Sequence, residues 1–291
     1  MKRLASPPHS SLDLYDACVS EAEGALKAHL AENRIFLDQA ANVFDTHSAT
    51  KTWCDIPRAR RGHREDIIVG TLSKGSLMDL YSSGVVGSTG EPRRIYDDIM
   101  VAAKGECPYC GGIGTPRTLD HYLPKSKFPA YSVHPRNLVP ACRDCNTDAG
   151  ADFPNTPQHQ PIHPYLDKEC FFNERWVYGE VHRSNPIVVT FSVIPPEHWV
   201  DHDKQRATQH FAACSLAGRY SSRVAGDISP LILQRQSSLS QFSPDQFRDH
   251  LNIVSSDANL LLNGWKRTLY HALCESDWFC NANFNGDWLN V

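Results

Sequence analysis

Between Cys107 and Gly150 the chain reads CPYCGGIGTPRTLDHYLPKSKFPAYSVHPRNLVPACRDCNTDAG. Two Cys-x-x-Cys pairs bracket it, Cys107 with Cys110 and Cys142 with Cys145. Each pair can form a compact turn that aims two thiolates at one ion, and four thiolates complete a closed tetrahedral zinc site. Zn²⁺ is expected to hold geometry here and not to do chemistry, because such a shell leaves no open position. A module this short buries little apolar surface, whereas structural zinc contributes about 10–16 kcal/mol of apparent folding free energy in small peptides. Inside and just after the frame stand Asp120, His121, Asn137 and Asn146. A histidine suits the activation of water near neutral pH, and a carboxylate with an amide oxygen suits a hard cation. Each residue also has a plain reading: a satisfied structural histidine, a turn aspartate, a helix-terminus asparagine. On that reading the module is a non-catalytic zinc ribbon that binds nucleic acid or acts as a scaffold.

The order Asp120-His121, then Asn137, then Cys-x-x-Cys-Asn146 closely resembles the HNH endonuclease superfamily, in its variant with a zinc-binding cysteine frame. The resemblance implies a ββα-metal fold and one-metal hydrolysis of phosphodiester bonds in nucleic acid, with DNA as the expected substrate. It implies that His121 matches the general base, that Asp120 and Asn146 match the residues holding a catalytic Mg²⁺ or Mn²⁺, and that Asn137 matches the residue orienting the histidine-bearing loop. It runs firmly through LDHYLPKSKFPAYSVHPRNLVPACRDCN and, less specifically, to His163-Pro164-Tyr165. Within the superfamily, the same run looks like the nucleases of bacterial antiphage defence, including Septu-type systems that work beside an ATPase. An ATPase partner is implied on that ground. A single centre should nick one strand, so a double-strand break would need a homo-oligomer or repeated action. Many relatives carry a lysine three positions after the metal-binding asparagine, where this chain has Ala149 behind Asp148. Lys125, Lys127, Arg136 and Arg143 are the candidate phosphate contacts near the site.

These residues need elements to position them. Arg117–Tyr122 can form a strand ending in Asp120-His121, Asn137–Pro140 can return beside it, and Cys142–Gly150 can start a short helix. Before the module, residues 12–44 show three- and four-residue apolar spacing, giving one long helix or two shorter ones with Gly24 as the weak point. Residues 65–81 and 91–103 resume that spacing on either side of a Gly/Ser turn, and Pro92 fits an early helical position. After the module, DFPNTPQHQPIHP reads as a loop, and Trp176–Val181 with Ile187–Val193 as a hairpin. From about His198 the chain is helical again, with Ser243-Pro244-Asp245-Gln246 as a capping box. The expected fold is mostly helical α+β. Residues 1–103 form a helical region, 104–166 the zinc module, and 167–291 a hairpin with C-terminal helices.

Composition bounds the rest. A formal net charge of −4 removes any global attraction to nucleic acid, so binding needs a local cationic patch or a partner. Ten cysteines without an apolar signal core behind Lys2 and Arg3 point to reduced thiols in a cytoplasmic protein. No apolar run approaches the roughly 18–20 residues of a membrane span. The cluster Arg58, Arg60, Arg61 and Arg64 reads as a solvated loop, and His134 and His163 as structural residues. His198 and His202 stand four apart but lack the glutamate of a His-Glu-x-x-His site. The C-terminal aromatics Trp265, Tyr270, Trp278, Phe279 and Phe284 read as core.

Overall fold

The computed structural model describes residues 1–150 and 152–286, with Ala149 by its backbone alone. The chain divides into two compact units, Arg3–Asp167 and Lys168–Val291, the latter including Met1–Lys2. The described residues are mostly helical with three two-stranded antiparallel sheets, an α+β protein.

In the first unit, helices α1 (Asp13–Glu21) and α2 (Gly24–Thr50) break at Gly24, whose φ of +54° only glycine adopts cheaply. Tyr15 donates its hydroxyl to the Leu30 carbonyl at 2.6 Å and ties the two helices together. Strands β1 (Ile67–Val69) and β2 (Leu72–Ser73) then form a short hairpin and lead into α3 (Lys74–Asp79). This corrects the helix expected from residue 65. The apolar spacing of Ile67, Ile68 and Leu72 is compatible with a helix, but Gly70 sits at φ +55° and turns the chain. Asn33 then fixes the turn by accepting from the Thr71 amide at 2.8 Å.

After α3 the helix does not stop at the Gly/Ser segment. It widens into a π-helical turn, Leu80–Val85, in which the Val86 amide reaches back to the Tyr81 carbonyl at 2.9 Å. Helix α4 (Glu91–Val101) follows with Pro92 in its first turn, as expected. Strands β3 (Thr118–His121) and β4 (Leu138–Ala141) pair antiparallel, Asp120 opposite Val139 and His121 opposite Leu138, and α5 (Arg143–Ala149) follows directly.

The N-terminal helices and this ββα module share one core. Leu14, Tyr15, Leu30, Tyr81, Ile95 and Ile99 pack in the same cluster as Leu119, Val133 and Leu138. Tyrosines also finish the free edge of β3. The Leu119 amide donates to the Tyr96 hydroxyl at 3.2 Å, and its carbonyl accepts from the Tyr81 hydroxyl at 3.0 Å. Leu119 lies opposite Pro140, so its polar groups turn away from the one residue of β4 that has no amide hydrogen to give.

In the second unit, α6 (Cys170–Asn173) precedes the hairpin β5 (Val177–His182) and β6 (Val188–Val193), as expected. Helices α7 (Asp201–Ala213), α8 (Leu216–Gln236), α9 (Pro244–Ser255), α10 (Trp265–Glu275) and α11 (Asp277–Asn281) follow. The expected capping box opens α9: Ser243 Oγ accepts from the Gln246 amide at 3.2 Å, and Gln246 accepts from the Ser243 amide at 2.8 Å. Asn263, which the sequence gives no reason to single out, accepts from the amides of Trp176 and Val177 and donates to the Glu174 carbonyl. Tyr270, Phe279 and Phe284 are buried, which places these aromatics in packing.

Candidate active site

The four cysteines of the frame come together. Cys107, Cys110, Cys142 and Cys145 are buried, and their sulfurs all lie within 4.8 Å of one another, with Cys110 Sγ 4.0 Å from Cys142 Sγ. A tetrahedron with Zn–S near 2.3 Å has sulfurs about 3.8 Å apart, so the quartet needs little adjustment to enclose an ion. Cys110 Sγ also accepts from the Gly114 amide at 3.3 Å, a contact that favours thiolate. The other three thiols donate toward Cys142 and hold its pKa far below the usual thiol range. The donor set therefore fits zinc, and all four side chains are committed to the closed frame. Cys142 and Cys145 flank the first turn of α5, so an ion here fixes that helix, and with it the half-buried Asn146, against the hairpin.

Asp120 and His121 end β3, where alternation sends them to opposite faces. His121 goes inward with Leu119. Its Nε2 lies 2.9 Å from the Ser132 carbonyl oxygen. A carbonyl can only accept, so Nε2 carries the proton and Nδ1 keeps its lone pair. Burial, with the Lys125 charge adding to it, pushes the His121 pKa down to about 3, while the Ser132 carbonyl works in the opposite direction. The imidazole is thus neutral at physiological pH. Burial pushes the Asp120 carboxyl up to about 7, although its Oδ1 accepts from the His121 amide at 2.8 Å. No cation of the described residues pairs with it. A half-buried carboxylate without a counter-charge among the described residues fits a site for a hard divalent ion.

Asn137 is fully buried and holds the loop between the strands. It accepts from the Leu123 amide at 2.7 Å and donates to the carbonyls of Leu123 at 3.1 Å and Tyr131 at 3.0 Å. That loop includes Ser132, so Asn137 acts on His121 through the backbone carbonyl that fixes its tautomer.

The four candidate phosphate contacts differ in placement. Arg143 is exposed at the first position of α5. Lys125 is half-buried, 4.7 Å from the centre of the Tyr81 ring, and donates to Ser82 Oγ at 3.0 Å. Lys127 faces Asp152 at 3.5 Å, and Arg136 pairs with Asp45 while also donating to Ser11 at 3.2 Å. The last two are committed to the fold's own acids. In the upstream cluster Arg60 pairs with Asp66 and Arg64 with Asp79, while Arg58 donates to the Pro154 carbonyl.

Of the other histidines singled out in the sequence, His134 and His163 pack in the interior, and His198 and His202 make surface ion pairs. His134 is 4.3 Å from the Phe44 ring centre, and neither ring nitrogen hydrogen-bonds to a described residue. His163 is enclosed by Trp53 and Tyr122 and accepts at Nδ1 from the Tyr165 amide. His198 precedes α7 and pairs with Glu174, whereas His202 lies on that helix beside Asp203, so the two do not share a helix face. Sequence reasoning missed Tyr81, Tyr96 and Ser132, whose roles rest on contacts distant in the chain. The side chain of Ala149, where relatives carry lysine, lies outside the described residues.

The class follows from this arrangement. The HNH endonuclease family model matches residues 107–152, the segment that holds the cysteine frame, Asp120, His121, Asn137 and Asn146, and the chain belongs to the proteins carrying that domain. More particularly, it is 33% identical to Protein ea31 of Escherichia phage lambda across 96% of this chain and 99% of that one, which places both in one family. No solved structure matches the chain. No helix among the described residues is long and apolar enough to cross a membrane.

Proposed function

We propose that the chain is a metal-dependent endonuclease that hydrolyses phosphodiester bonds of DNA, with His121 as general base. The observation that carries the proposal is the Ser132 carbonyl at His121 Nε2, which leaves Nδ1 as a proton acceptor, next in the strand to a half-buried carboxylate that pairs with no cation among the described residues.

Asp120, joined by Asn146 from α5, would hold Mg²⁺ or Mn²⁺. When bound, such an ion supplies charge stabilisation at the scissile phosphate and the leaving oxygen. The chain's own residues do the rest. Because His121 is neutral at pH 7, nearly every molecule presents its Nδ1 lone pair to the attacking water. On taking the proton the ring becomes imidazolium, which the Ser132 carbonyl favours and the apolar surroundings disfavour, so the proton is passed on readily. Asn137 keeps the Ser132 loop in place throughout. The cysteine quartet fits Zn²⁺ in a structural role.

Supercoiled plasmid offered with Mg²⁺ or Mn²⁺ tests this, with an RNA of matched length as a second substrate. We expect nicking of DNA that His121→Ala lowers by about 10²–10⁴-fold while zinc content is retained. Nicking that persists in His121→Ala removes His121 as the base. A fully folded, zinc-loaded wild type that cuts neither substrate favours the scaffold reading. An antiphage role beside an ATPase partner is the finer proposal, supported by the HYLPKS and NLVPAC runs. The relative named above is a phage protein, so the same framework also serves on the phage side, and an ATPase gene next to this one is the observation that would support the pairing.

A further inference from the structure

The π-helical turn Leu80–Val85 lies outside the segment that matches the nuclease family, yet two of its side chains reach the candidate active site. Wide turns of this kind are energetically poor and recur at functional sites. Here the extra residue aims consecutive side chains, Tyr81 and Ser82, at the module. Tyr81 is buried, with its ring 4.4 Å from the His121 ring at 74°, an edge-on contact that closes one side of the imidazole. Its hydroxyl anchors to the Leu119 carbonyl two residues before that histidine. The same ring lies 4.7 Å from Lys125 Nζ, which also donates to the exposed Ser82 Oγ. Lys125 carries no acidic partner at ion-pair distance among the described residues, unlike Lys127 and Arg136. Its ammonium and the His121 imidazole both lie against the one Tyr81 ring.

We propose that Lys125 is the residue that grips the substrate's phosphate backbone, and that Tyr81 is the positioning residue that sets Lys125 and His121 relative to each other. The inference deepens the nuclease reading and rests on it. The chemistry is that of an anionic phosphodiester: a cation with free donors held beside the base. An ammonium has three N–H donors, and Ser82 takes one. The aromatic platform holds the head group without neutralising it, as an acid would. The far end of α5 has no cation to offer, since Thr147-Asp148-Ala149 is acidic or neutral.

The test uses the full chain, supercoiled plasmid and Mn²⁺, with kcat and KM measured across a salt series. Lys125→Met should raise KM about tenfold and flatten the dependence of log KM on log salt by about 0.9, the loss of one phosphate contact. Lys125→Arg should restore the slope. Ser82→Ala, at an exposed position, should raise KM about threefold with little change in kcat. Tyr81→Leu should lower kcat at least tenfold and mix the His121 tautomers seen by ¹⁵N NMR, whereas Tyr81→Phe, which keeps the ring, should hold the Nε2–H form and most of the rate. If Tyr81→Leu does not fold, the Lys125 and Ser82 variants decide. Wild-type KM and salt slope in Lys125→Met, with the wild type cutting and His121→Ala dead, overturn this inference and leave the nuclease reading standing. A wild type that cuts no nucleic acid overturns both.

Discussion

Replacing Asn137 by alanine separates the roles of frame and chemistry. The side chain is 0% exposed and makes three hydrogen bonds, to the Leu123 amide, the Leu123 carbonyl and the Tyr131 carbonyl. Each such bond is worth about 1 kcal/mol net, and a buried amide left without a partner costs about 1–3 kcal/mol. Relaxation of the loop recovers part of that, so we expect a loss of about 2–4 kcal/mol in urea unfolding, with the midpoint moving and the slope unchanged. Because the same loop presents the Ser132 carbonyl to His121, the folded fraction of the variant should also cut more slowly, beyond what the loss of folded protein explains. Asn137→Asp sharpens the test. Its carboxylate can still accept from the Leu123 amide, but it turns an acceptor toward two carbonyls. Its pKa is therefore raised in the fold, and stability should be present at low pH and lost as pH rises through that raised value. A loss below about 1 kcal/mol in Asn137→Ala, or a flat pH response in Asn137→Asp, would refute the role given to this side chain.

Other expectations follow from the same geometry. Cys142→Ala should lose zinc, measured by elemental analysis, together with soluble folded protein, since structural zinc is worth about 10–16 kcal/mol in small domains; a folded variant with unchanged metal would contradict the frame. Burial, with Arg136 nearby, pushes the His134 pKa down to about 3, against about 6.5 when unfolded, so the unfolded chain binds the extra proton between those values. Stability should fall below pH 6.5 by up to about 1.4 kcal/mol per pH unit on account of this residue, and His134→Phe should remove that slope in denaturation curves taken across pH. At Gly70 an added Cβ would lie 2.1 Å from Asn33 Oδ1 and 2.5 Å from the Phe36 ring, in a backbone conformation that already favours glycine. Gly70→Ala should therefore lower the melting temperature, at a cost of about 2–4 kcal/mol, and an unchanged melting curve would contradict it.

The sequence made the centre of the site legible because its information there is local. Paired cysteines close a turn by themselves, Asp120 and His121 are adjacent on one strand, and Asn146 directly follows Cys145 of the cysteine frame. The β5–β6 hairpin and the α9 capping box were legible for the same reason, as turn and cap chemistry acts over a few residues. Residues 67–73 misled, since two isoleucines and a leucine at helical spacing say nothing of Asn33, more than thirty positions earlier, which holds the Thr71 amide in a turn. The π-helical turn was hidden too. What widens a helix and points Tyr81 at His121 is the surface it packs on, and no local signal in SSGVVGSTG announces it. The cations near the site were ambiguous in the sequence because their meaning depends on which acids the fold brings up. Asp45 answers Arg136 from α2, whereas Lys125 meets a ring and a hydroxyl.

That distribution of ion pairs bears on how long the protein stays where it lands. With Arg60, Arg64, Lys127 and Arg136 facing acids of their own fold in a chain of net charge −4, few counterions would be released on contact with DNA. Chance encounters should be brief. If the centre cuts DNA as proposed, so light a grip would make it selective by dwell time: most DNA would leave before the slow step, and only a molecule kept in place by some second attachment would stay long enough to be nicked. Quiescence on bulk DNA would then need no inhibitor, since it is already written into the side chains that hold the fold together.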